Sequence, residues 1–257
     1  MRLLRLTLNQ VRYENKAFWR SPAAAFFTFV FPLLFLFITN TIFGSGEMEL
    51  PGGTASVSNF YVPAIIAFSA ISTCYTNIAI RISYAREQGL LKRVRGTPLP
   101  SSAFFAGRII HACLVAILLV IIIVVVGAVL YDVDVPTNTL PAFLLTLAVG
   151  AAALCALGLA ISALIPNADA SPAIVNASIL PLLFASDIFI PLDNAPRWLQ
   201  ILGDVFPVKH FSEALQASFN PFETGYGFEG FALLVMAAWG VAGLLIAVRF
   251  FKWEPRH

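Results

Sequence analysis

Long apolar stretches constrain the fold of this chain more than any other feature. A membrane-spanning α-helix needs about 20 consecutive, mostly apolar residues, and six stretches meet that requirement: 23–43, 58–80, 103–130, 139–165, 170–190 and 228–250. Of the 257 residues, 59% are hydrophobic and only 12% are charged, well below the charged fraction of a soluble domain. The sequence therefore predicts an all-α membrane protein with six transmembrane helices, forming one domain over residues 1–257.

The distribution of basic residues predicts how the spans are oriented. Fourteen of the sixteen Lys and Arg residues lie before the first span, from the second span to the start of the third, or from the end of the sixth onward. The alternate loops carry acidic residues such as Glu47, Asp132 and Asp193. With six spans the basic segments share one side, which the positive-inside rule places in the cytoplasm. We therefore expect a multi-pass protein of the plasma membrane with both termini in the cytoplasm.

Residues 1–20 have the pattern of a helix that lies on the membrane surface. At 100° per residue, Arg5, Arg12, Lys16 and Arg20 fall in one narrow arc. The opposite arc holds the apolar residues Leu4, Leu8, Val11, Phe18 and Trp19. A basic face opposite an aliphatic and aromatic face is typical of an interfacial amphipathic helix. A disordered basic tail is the alternative.

Residues 191–225 contain two apolar helical pieces, near 196–204 and 208–219, that are separated at Pro207. Each piece is too short to cross a bilayer, so we expect outer re-entrant or interfacial helices between spans five and six. An ordinary amphipathic extracellular loop is the alternative.

The fourth predicted span is rich in small residues, which allow helices to approach closely in lipid. They are Gly150, Ala151, Ala152, Ala153, Ala156, Gly158, Ala160 and Ala163. The pattern leaves open whether the partner helix belongs to this chain or to another.

Residues 84–96 are predicted to form a short basic helix on the cytoplasmic side. Leu90, Leu91 and Val94 make an apolar arc, and Glu87 projects from its middle. The basic residues Arg86, Lys92, Arg93 and Arg95 occupy the other side. Gly96 can end the helix, and the following TPLP cannot continue it. Because little slack separates this helix from two spans, it can transmit force. Anchoring to anionic lipid is the alternative.

The sequence gives little support for catalysis or cofactor binding. A nucleotide-binding P-loop is absent, and no nucleophile motif stands out, so we expect neither an enzyme nor a catalytic residue. Cys74, Cys113 and Cys155 lie in separate apolar runs, where we interpret them as small core- or lipid-facing residues rather than a metal site. His111 is interpreted as a boundary residue, and a net charge of +2 does not favour nucleic-acid binding.

Two parts of the sequence resemble the ABC-2 type permeases, the membrane subunits of bacterial drug, antibiotic and lipid exporters. The first is REQGLLKRVRGTPLP at 86–100, and the second is LPLLFASDIFIP at 180–191 followed by an outer segment with Pro207, His210, Ala214 and Leu215. Where such permeases commonly have a Ser-Gly pair, this chain has Ser186–Asp187. The resemblance extends over essentially the whole chain.

The resemblance implies partners and site residues. The segment after the second span would be the coupling helix that docks on a separate cytoplasmic ATPase, present in two copies, which binds ATP and Mg²⁺. Its docking residues would be Arg86, Glu87, Gly89, Leu90, Leu91, Lys92, Arg93 and Arg95. A second permease, either a copy or a paralogue, would complete the transporter among the lipids of the bacterial inner membrane.

The function implied is ATP-driven export of a hydrophobic or amphipathic small molecule, with Asn176, Phe184 and Asp187 as candidate residues of the substrate path. This chain itself would need no cofactor. Two alternatives remain open from the residues: a non-transporting membrane scaffold or sensor, and an ion-coupled carrier that uses Asp187, since intramembrane ionisable residues are commonly functional.

Overall fold

The computed structural model describes residues 2–43, 46–50, 52–189 and 195–251. In chain order the helices are α1 (Arg2–Trp19), α2 (Pro22–Phe43), α3 (Val57–Ile71), α4 (Asn77–Glu87), α5 (Leu90–Arg95), α6 (Ser101–Tyr131), α7 (Leu140–Leu164), α8 (Ser171–Phe184), α9 (Arg197–Val205), α10 (Pro207–Phe219) and α11 (Gly230–Phe250). A π-helical turn at Ser72–Thr76 joins α3 to α4 without a break. Strands β1 (Glu47–Leu50) and β2 (Gly53–Ser56) form an antiparallel hairpin with Glu47 opposite Ser56.

Within the described ranges, five helical segments are long and apolar enough to cross a membrane. They are Ala25–Phe43, Val57–Glu87, Ser101–Tyr131, Leu140–Leu164 and Gly230–Phe250. This architecture agrees with the predicted all-α membrane class, to which the short hairpin is an addition. The second span is longer than the predicted 58–80, because the helix continues through the π-helical turn to Glu87.

The predicted span at 170–190 differs from the structure. Its helix, α8, has 14 residues, which gives a length of about 21 Å against a hydrocarbon core of about 30 Å. Beyond Phe184 the chain turns, and Asp187 adopts a positive φ of 55°. Helix α8 ends at Phe184 with Ala185 as its C-cap, so the left-handed Asp187 lies in the turn that follows. Position 190 and the start of the predicted outer segment, 191–194, lie outside the described residues.

The α3–α4 segment is the centre of the bundle. Nearly every side chain of α3 is buried, and the helix packs against α2, α6 and α10, while the π-helical turn and α4 contact α7. The bundle has two ends. The basic end carries α5 and the start of α6, and the opposite end carries the hairpin and the α9–α10 pair. Both α9 and α10 exist as the separate short helices that the sequence predicts around Pro207.

Helix α1 packs along α6. Its buried side holds Thr7, Glu14 and Phe18, and a Cβ added at Gly107 of α6 would lie 2.6 Å from the Cβ of Gln10. The apolar residues Leu4 and Leu8 remain exposed, away from α6. The helix predicted for residues 1–20 is present. Besides the predicted basic and apolar faces, it has a side that is buried against α6, which the sequence pattern did not predict.

The small residues of α7 serve helix packing within this chain. A Cβ at Gly158 would lie 2.8 Å from the carbonyl oxygen of Tyr75 and 3.2 Å from that of Cys74. On α11, a Cβ at Gly240 would lie 3.1 Å from the Cα of Ala153. A Cβ at Gly158 would thus be closer to the Tyr75 carbonyl than real Cβ atoms come, and a Cβ at Gly240 would make an unusually tight contact. Glycine therefore allows α7 to contact the π-helical turn and α11.

We predict that Gly158→Ala destabilises the folded protein, because the added methyl meets rigid backbone at 2.8 Å. Overpacking of this kind typically costs about 1–3 kcal/mol. Gly230→Ala is the matched control, since nothing lies within 4 Å of its added Cβ and alanine favours a helix. The thermal unfolding midpoints of both variants in detergent check this. Equal midpoints would contradict the close packing of α7 on the π-helical turn.

Candidate functional site

The segment predicted as one coupling helix consists of two pieces. Residues Tyr84–Glu87 are the last turn of α4, and α5 begins at Leu90. Between them Gly89 adopts a left-handed φ of 69°, a conformation that glycine takes without steric cost. The prediction of a single helix over 84–96 was therefore wrong, since it did not recognise Gly89 as a helix stop.

Arg86 is buried, with only 1% of its surface exposed. Its guanidinium donates a hydrogen bond of 3.0 Å to the carbonyl oxygen of Ser162 and a second to that of Ile165. These carbonyls lie at the C-terminus of α7, where the helix itself provides no donor and where a positive charge is stabilised by the helix dipole. Arg86 was predicted on an exposed docking face. The structure places it inside the bundle, so that placement was wrong.

Glu87 has a partner within the chain. Its carboxylate accepts a hydrogen bond from the backbone N–H of Ala168, just before α8. This hydrogen bond explains why a carboxylate projects from the apolar arc that the sequence predicts around Glu87. Together Arg86 and Glu87 connect the end of α4 to α7 and α8.

Leu91 holds α5 against the bundle. It is fully buried in a cluster with Ala85 of α4 and Phe104 of α6, to which Phe251 and Val94 add contacts. On the other side of α5, Leu90 is 40% exposed, and Lys92, Arg93 and Arg95 are exposed. Helix α5 is therefore fixed by one leucine and presents a basic surface. We call Leu90, Lys92, Arg93 and Arg95 the α5 face.

A partly buried ion cluster, centred on the buried Glu14, lies beside this face. Glu14 of α1 pairs with Arg108 of α6 at 2.7 Å and with Arg81 of α4 at 3.6 Å, and Gln10 donates a hydrogen bond of 3.0 Å to the same carboxylate. The Arg108 guanidinium also lies 4.7 Å from the ring centre of Phe104. The cluster ties α1 to α4 and α6. Glu14 is the one acidic residue among the first 20, a signal that the sequence interpretation did not use.

The residues predicted for the substrate path are spread along α8 and do not form a cluster. Asn176 and Phe184 are both exposed, and they are eight residues apart, which is about 12 Å along a helix axis. Asp187 lies in the turn after α8 and is half-buried. Its backbone carbonyl accepts a hydrogen bond of 3.2 Å from Gln216 of α10.

Helix α10 has a charged group close to Asp187. Lys209 pairs with Asp204 at 2.6 Å and with Glu213 at 3.5 Å. Burial lowers the pKa of Lys209, but the hydrogen bond to Asp204 and the charges of Glu213 and Asp187 outweigh this effect and leave the pKa raised. Burial also raises the pKa of Glu213, and the nearby Lys209 and His210 offset only part of that rise.

An apolar cavity of about 220 Å³ lies between the π-helical turn, α7, α8, α10 and α11. Its lining is mostly aliphatic and aromatic and includes Leu157, Leu182 and Trp239. The Tyr75 hydroxyl and the Ser178 hydroxyl, 2.7 Å apart, are polar groups at its wall. Sequence reasoning did not find this cavity, because its lining comes from five separate parts of the chain.

The three cysteines also come together. They lie in the π-helical turn, α6 and α7, and their sulfur atoms are all within 4.8 Å of one another. Cys74 and Cys155 are buried, in agreement with the core-facing prediction. The sequence interpretation did not predict that the three lie together, because distance along the chain says little about contacts between helices.

The long apolar helices of this bundle define a multi-pass helical membrane protein, with the short basic helix α5 outside its spans. Residues 7–220 match the family model described as "ABC-2 type transporter". The chain belongs to the ABC-2 type transporter family, as the two sequence motifs indicated. Proteins of this kind are the permease subunits of ABC transporters and are not themselves ATPases.

Named relatives agree with this family. The chain is 28% identical over 200 residues to "Putative transport permease ycf38" of Porphyra purpurea, covering 77% of this chain and 68% of the relative. It is 30% identical over 156 residues to "Probable multidrug ABC transporter permease YbhR" of Escherichia coli strain K12, covering 60% and 42%. It is 22% identical over 253 residues to "Daunorubicin resistance ABC transporter permease protein DrrB1" of Streptomyces coeruleorubidus, covering 98% and 87%.

We predict that Arg86→Ala lowers stability by about 2–4 kcal/mol, because it removes two charge-assisted hydrogen bonds and leaves buried carbonyls unpaired. Arg93→Ala removes the same side-chain type from an exposed position and should stay within about 0.5 kcal/mol of the wild type. Thermal unfolding in detergent compares the two. A similar loss for both would argue against the role of Arg86 in capping α7.

The backbone at Asp187 predicts which substitutions position 187 tolerates. Asp187→Gly should keep or slightly raise stability, by up to about 1 kcal/mol, because glycine adopts a positive φ freely. Asp187→Val should lose about 1–2 kcal/mol, because a β-branched residue is strained at φ 55°. Unfolding midpoints of the two variants check this, and a valine variant as stable as the glycine variant would contradict the turn conformation.

Proposed function

We propose that this chain is the permease subunit of an ATP-driven exporter that moves a hydrophobic or amphipathic small molecule out of the cell. Energy would come from a separate cytoplasmic ATPase in two copies, with a second permease, a copy or a paralogue, completing the path. Two relatives, YbhR and DrrB1, are named as a multidrug and a daunorubicin resistance permease, which supports a drug-like substrate.

The α5 face carries this proposal. Its basic residues and Leu90 are exposed while Leu91 of the same helix is fully buried between α4 and α6. Arg86 and Glu87, immediately before it, are bonded to the ends of α7 and α8. A push on the α5 face would therefore reach the ends of several spans with little loss in flexible linkers. A helix that only anchors the protein to anionic lipid would need the basic residues, but it would not need a rigid connection to the spans.

The proposed membrane arrangement follows from the basic segments. The basic end of the bundle would face the cytoplasm, where the ATPase is, and the hairpin with α9 and α10 would face outward. In this arrangement α8, completed by the turn after Phe184, is the fifth of six spans, and α10 is a re-entrant helix that lies among α3, α7 and α11. The protein would reside in the bacterial inner membrane.

The apolar cavity beside Tyr75 is our candidate for substrate contact. Ligand sites are commonly apolar cavities with a few placed polar groups, and here the hydroxyls of Tyr75 and Ser178 supply them. Phe184 and Asn176, exposed on the adjoining helix α8, would lie on the approach to it. Asp187 would line the outer mouth of the path.

The central experiment is mild detergent purification of the chain from its native membrane, with mass spectrometry of the proteins that remain bound. We expect a P-loop ATPase in stoichiometric amount and hydrolysis of ATP that rises with substrate. A bound ATPase whose hydrolysis of ATP does not rise with substrate would favour the non-transporting scaffold. Transport that survives ATP depletion, collapses with the ion gradient and is lost in Asp187→Asn would favour the ion-coupled carrier.

We predict that Arg93→Glu weakens ATPase retention at least about 10-fold, as expected when a rim charge opposes its partner. Arg249→Glu makes the same charge change at an exposed position near the basic end of α11, outside the α5 face, and should retain the ATPase. Quantitative pull-down of the partner with each variant measures the difference. Equal retention would exclude the α5 face as the docking surface.

A further inference from the structure

The three cysteines form a cluster where three helical segments of the bundle meet. Cys74 belongs to the π-helical turn, Cys113 to α6 and Cys155 to α7, and their sulfur atoms lie within 4.8 Å of one another. Cys74 and Cys155 are fully buried, and Cys113 is half-buried. The cluster plays no part in the function proposed above.

Two features of the backbone bring these sulfur atoms together. A π-helical turn adds one residue to an α-helix, which rotates the side chains on its two sides by about 100° relative to each other. The turn at Ser72–Thr76 thereby sets the direction of Cys74. Gly158 lies three residues after Cys155, on the same side of α7, and its lack of a side chain lets α7 approach the carbonyls of Cys74 and Tyr75.

The spacing fits three ligands around one central atom. A bond between a thiolate sulfur and an ion is about 2.3 Å long, so three sulfurs bound to one centre lie roughly 3.5–4 Å apart. The observed limit of 4.8 Å is therefore less than about 1.5 Å from the bonded geometry. Small side-chain rotations can close such a gap without any movement of the helices.

The surroundings select the kind of centre. Cys74 and Cys155 belong to the apolar core, and Cys113 packs against it. Net charge in such a place is costly. Three thiolates around monovalent copper carry two net negative charges, and three around zinc carry one. A trivalent metalloid with three thiolates is neutral.

We propose that Cys74, Cys113 and Cys155 form a binding site for trivalent arsenic or antimony, taken up as the neutral hydroxide. For arsenic the reaction is As(OH)₃ + 3 Cys–SH → As(S–Cys)₃ + 3 H₂O. Three As–O bonds are replaced by three As–S bonds, each hydroxide leaves with the proton of one thiol, and no atom is oxidised or reduced. The half-buried Cys113 is the sulfur that the hydroxide reaches first.

Occupation of this site would join the π-helical turn, α6 and α7 through one atom. These segments meet where the central span changes from α3 to α4. The bound form should therefore be more resistant to unfolding than the free form, since a ligand that binds only the folded state stabilises it.

The test uses the full chain in detergent, reduced with a phosphine that is then removed, and sodium arsenite as the probe. We expect intact-protein mass spectrometry under native conditions to show one arsenic per chain with the loss of three hydrogens. Arsenite should block maleimide labelling of the half-buried Cys113, and the unfolding midpoint should rise.

Cys113→Ala, at the half-buried position, is the most informative variant, and Cys74→Ala and Cys155→Ala complete the set. Each should bind arsenite at least about 100-fold more weakly, since loss of a ligand exceeds the effect typical of outer contacts. Thr73→Val is the matched control, because Thr73 lies in the same π-helical turn and its hydroxyl donates a local hydrogen bond of 2.8 Å to the carbonyl of Ser69. It should bind arsenite as the wild type does.

Three outcomes would overturn the proposal. A Cys113 thiol that remains open to maleimide in excess arsenite would exclude the site. Protection by silver or zinc but not by arsenite would replace the neutral metalloid with a charged metal ion. Isolation of the native protein with a disulfide between two of the three cysteines would make the cluster a redox pair. The unfolding midpoint of each ligand-free variant verifies that the fold is intact.

Discussion

The interaction on which the arrangement of the basic end depends is the burial of Arg86. A guanidinium cannot be left unpaired in the interior of a membrane protein, because the cost of a buried charge is several kcal/mol. Arg86 donates hydrogen bonds to carbonyl oxygens at the end of α7. The carboxylate of the neighbouring Glu87 accepts a hydrogen bond from the backbone N–H of Ala168. These hydrogen bonds fix the end of α4 relative to α7 and α8, in addition to the apolar packing of Ile78 and Ile82 in the core.

This constraint explains how a six-residue helix can hold a defined position. Helix α5 is too short to be stable alone, and Gly89 allows the chain to turn sharply before it. The preceding residues are already held by the α7 and α8 contacts, and Leu91 then needs only the pocket formed with Ala85 and Phe104. The ion cluster of Glu14, Arg81 and Arg108 holds α1 beside the same place. The exposed α5 face is therefore surrounded by charged residues that hydrogen bonds and ion pairs hold in place.

Much of this fold was predictable from the sequence, because apolar length and basic loops report directly on spans and their ends. Five predicted spans agree with long helices, and α10 begins at Pro207, where the sequence predicts the break after α9. Contacts that depend on which helices are neighbours were not predictable. Arg86 lies in a basic stretch that is typical of an exposed helix. It is buried because the C-terminus of α7 lies next to it and offers carbonyl oxygens to its guanidinium. Cys74, Cys113 and Cys155 likewise became one cluster only through the packing of three helices.

The same reasoning limits where motion can occur in this bundle. The end of α4 is held by hydrogen bonds to α7 and α8, so a force on α5 cannot simply bend the chain there. The nearest irregular point is the π-helical turn, where the hydrogen-bond ladder is already altered. That turn borders the apolar cavity through Tyr75, and Gly158 keeps α7 against it. A displacement that begins at α5 would therefore pass along the rigid α4 to the π-helical turn, and change the wall of the cavity formed by Tyr75 and Ser178.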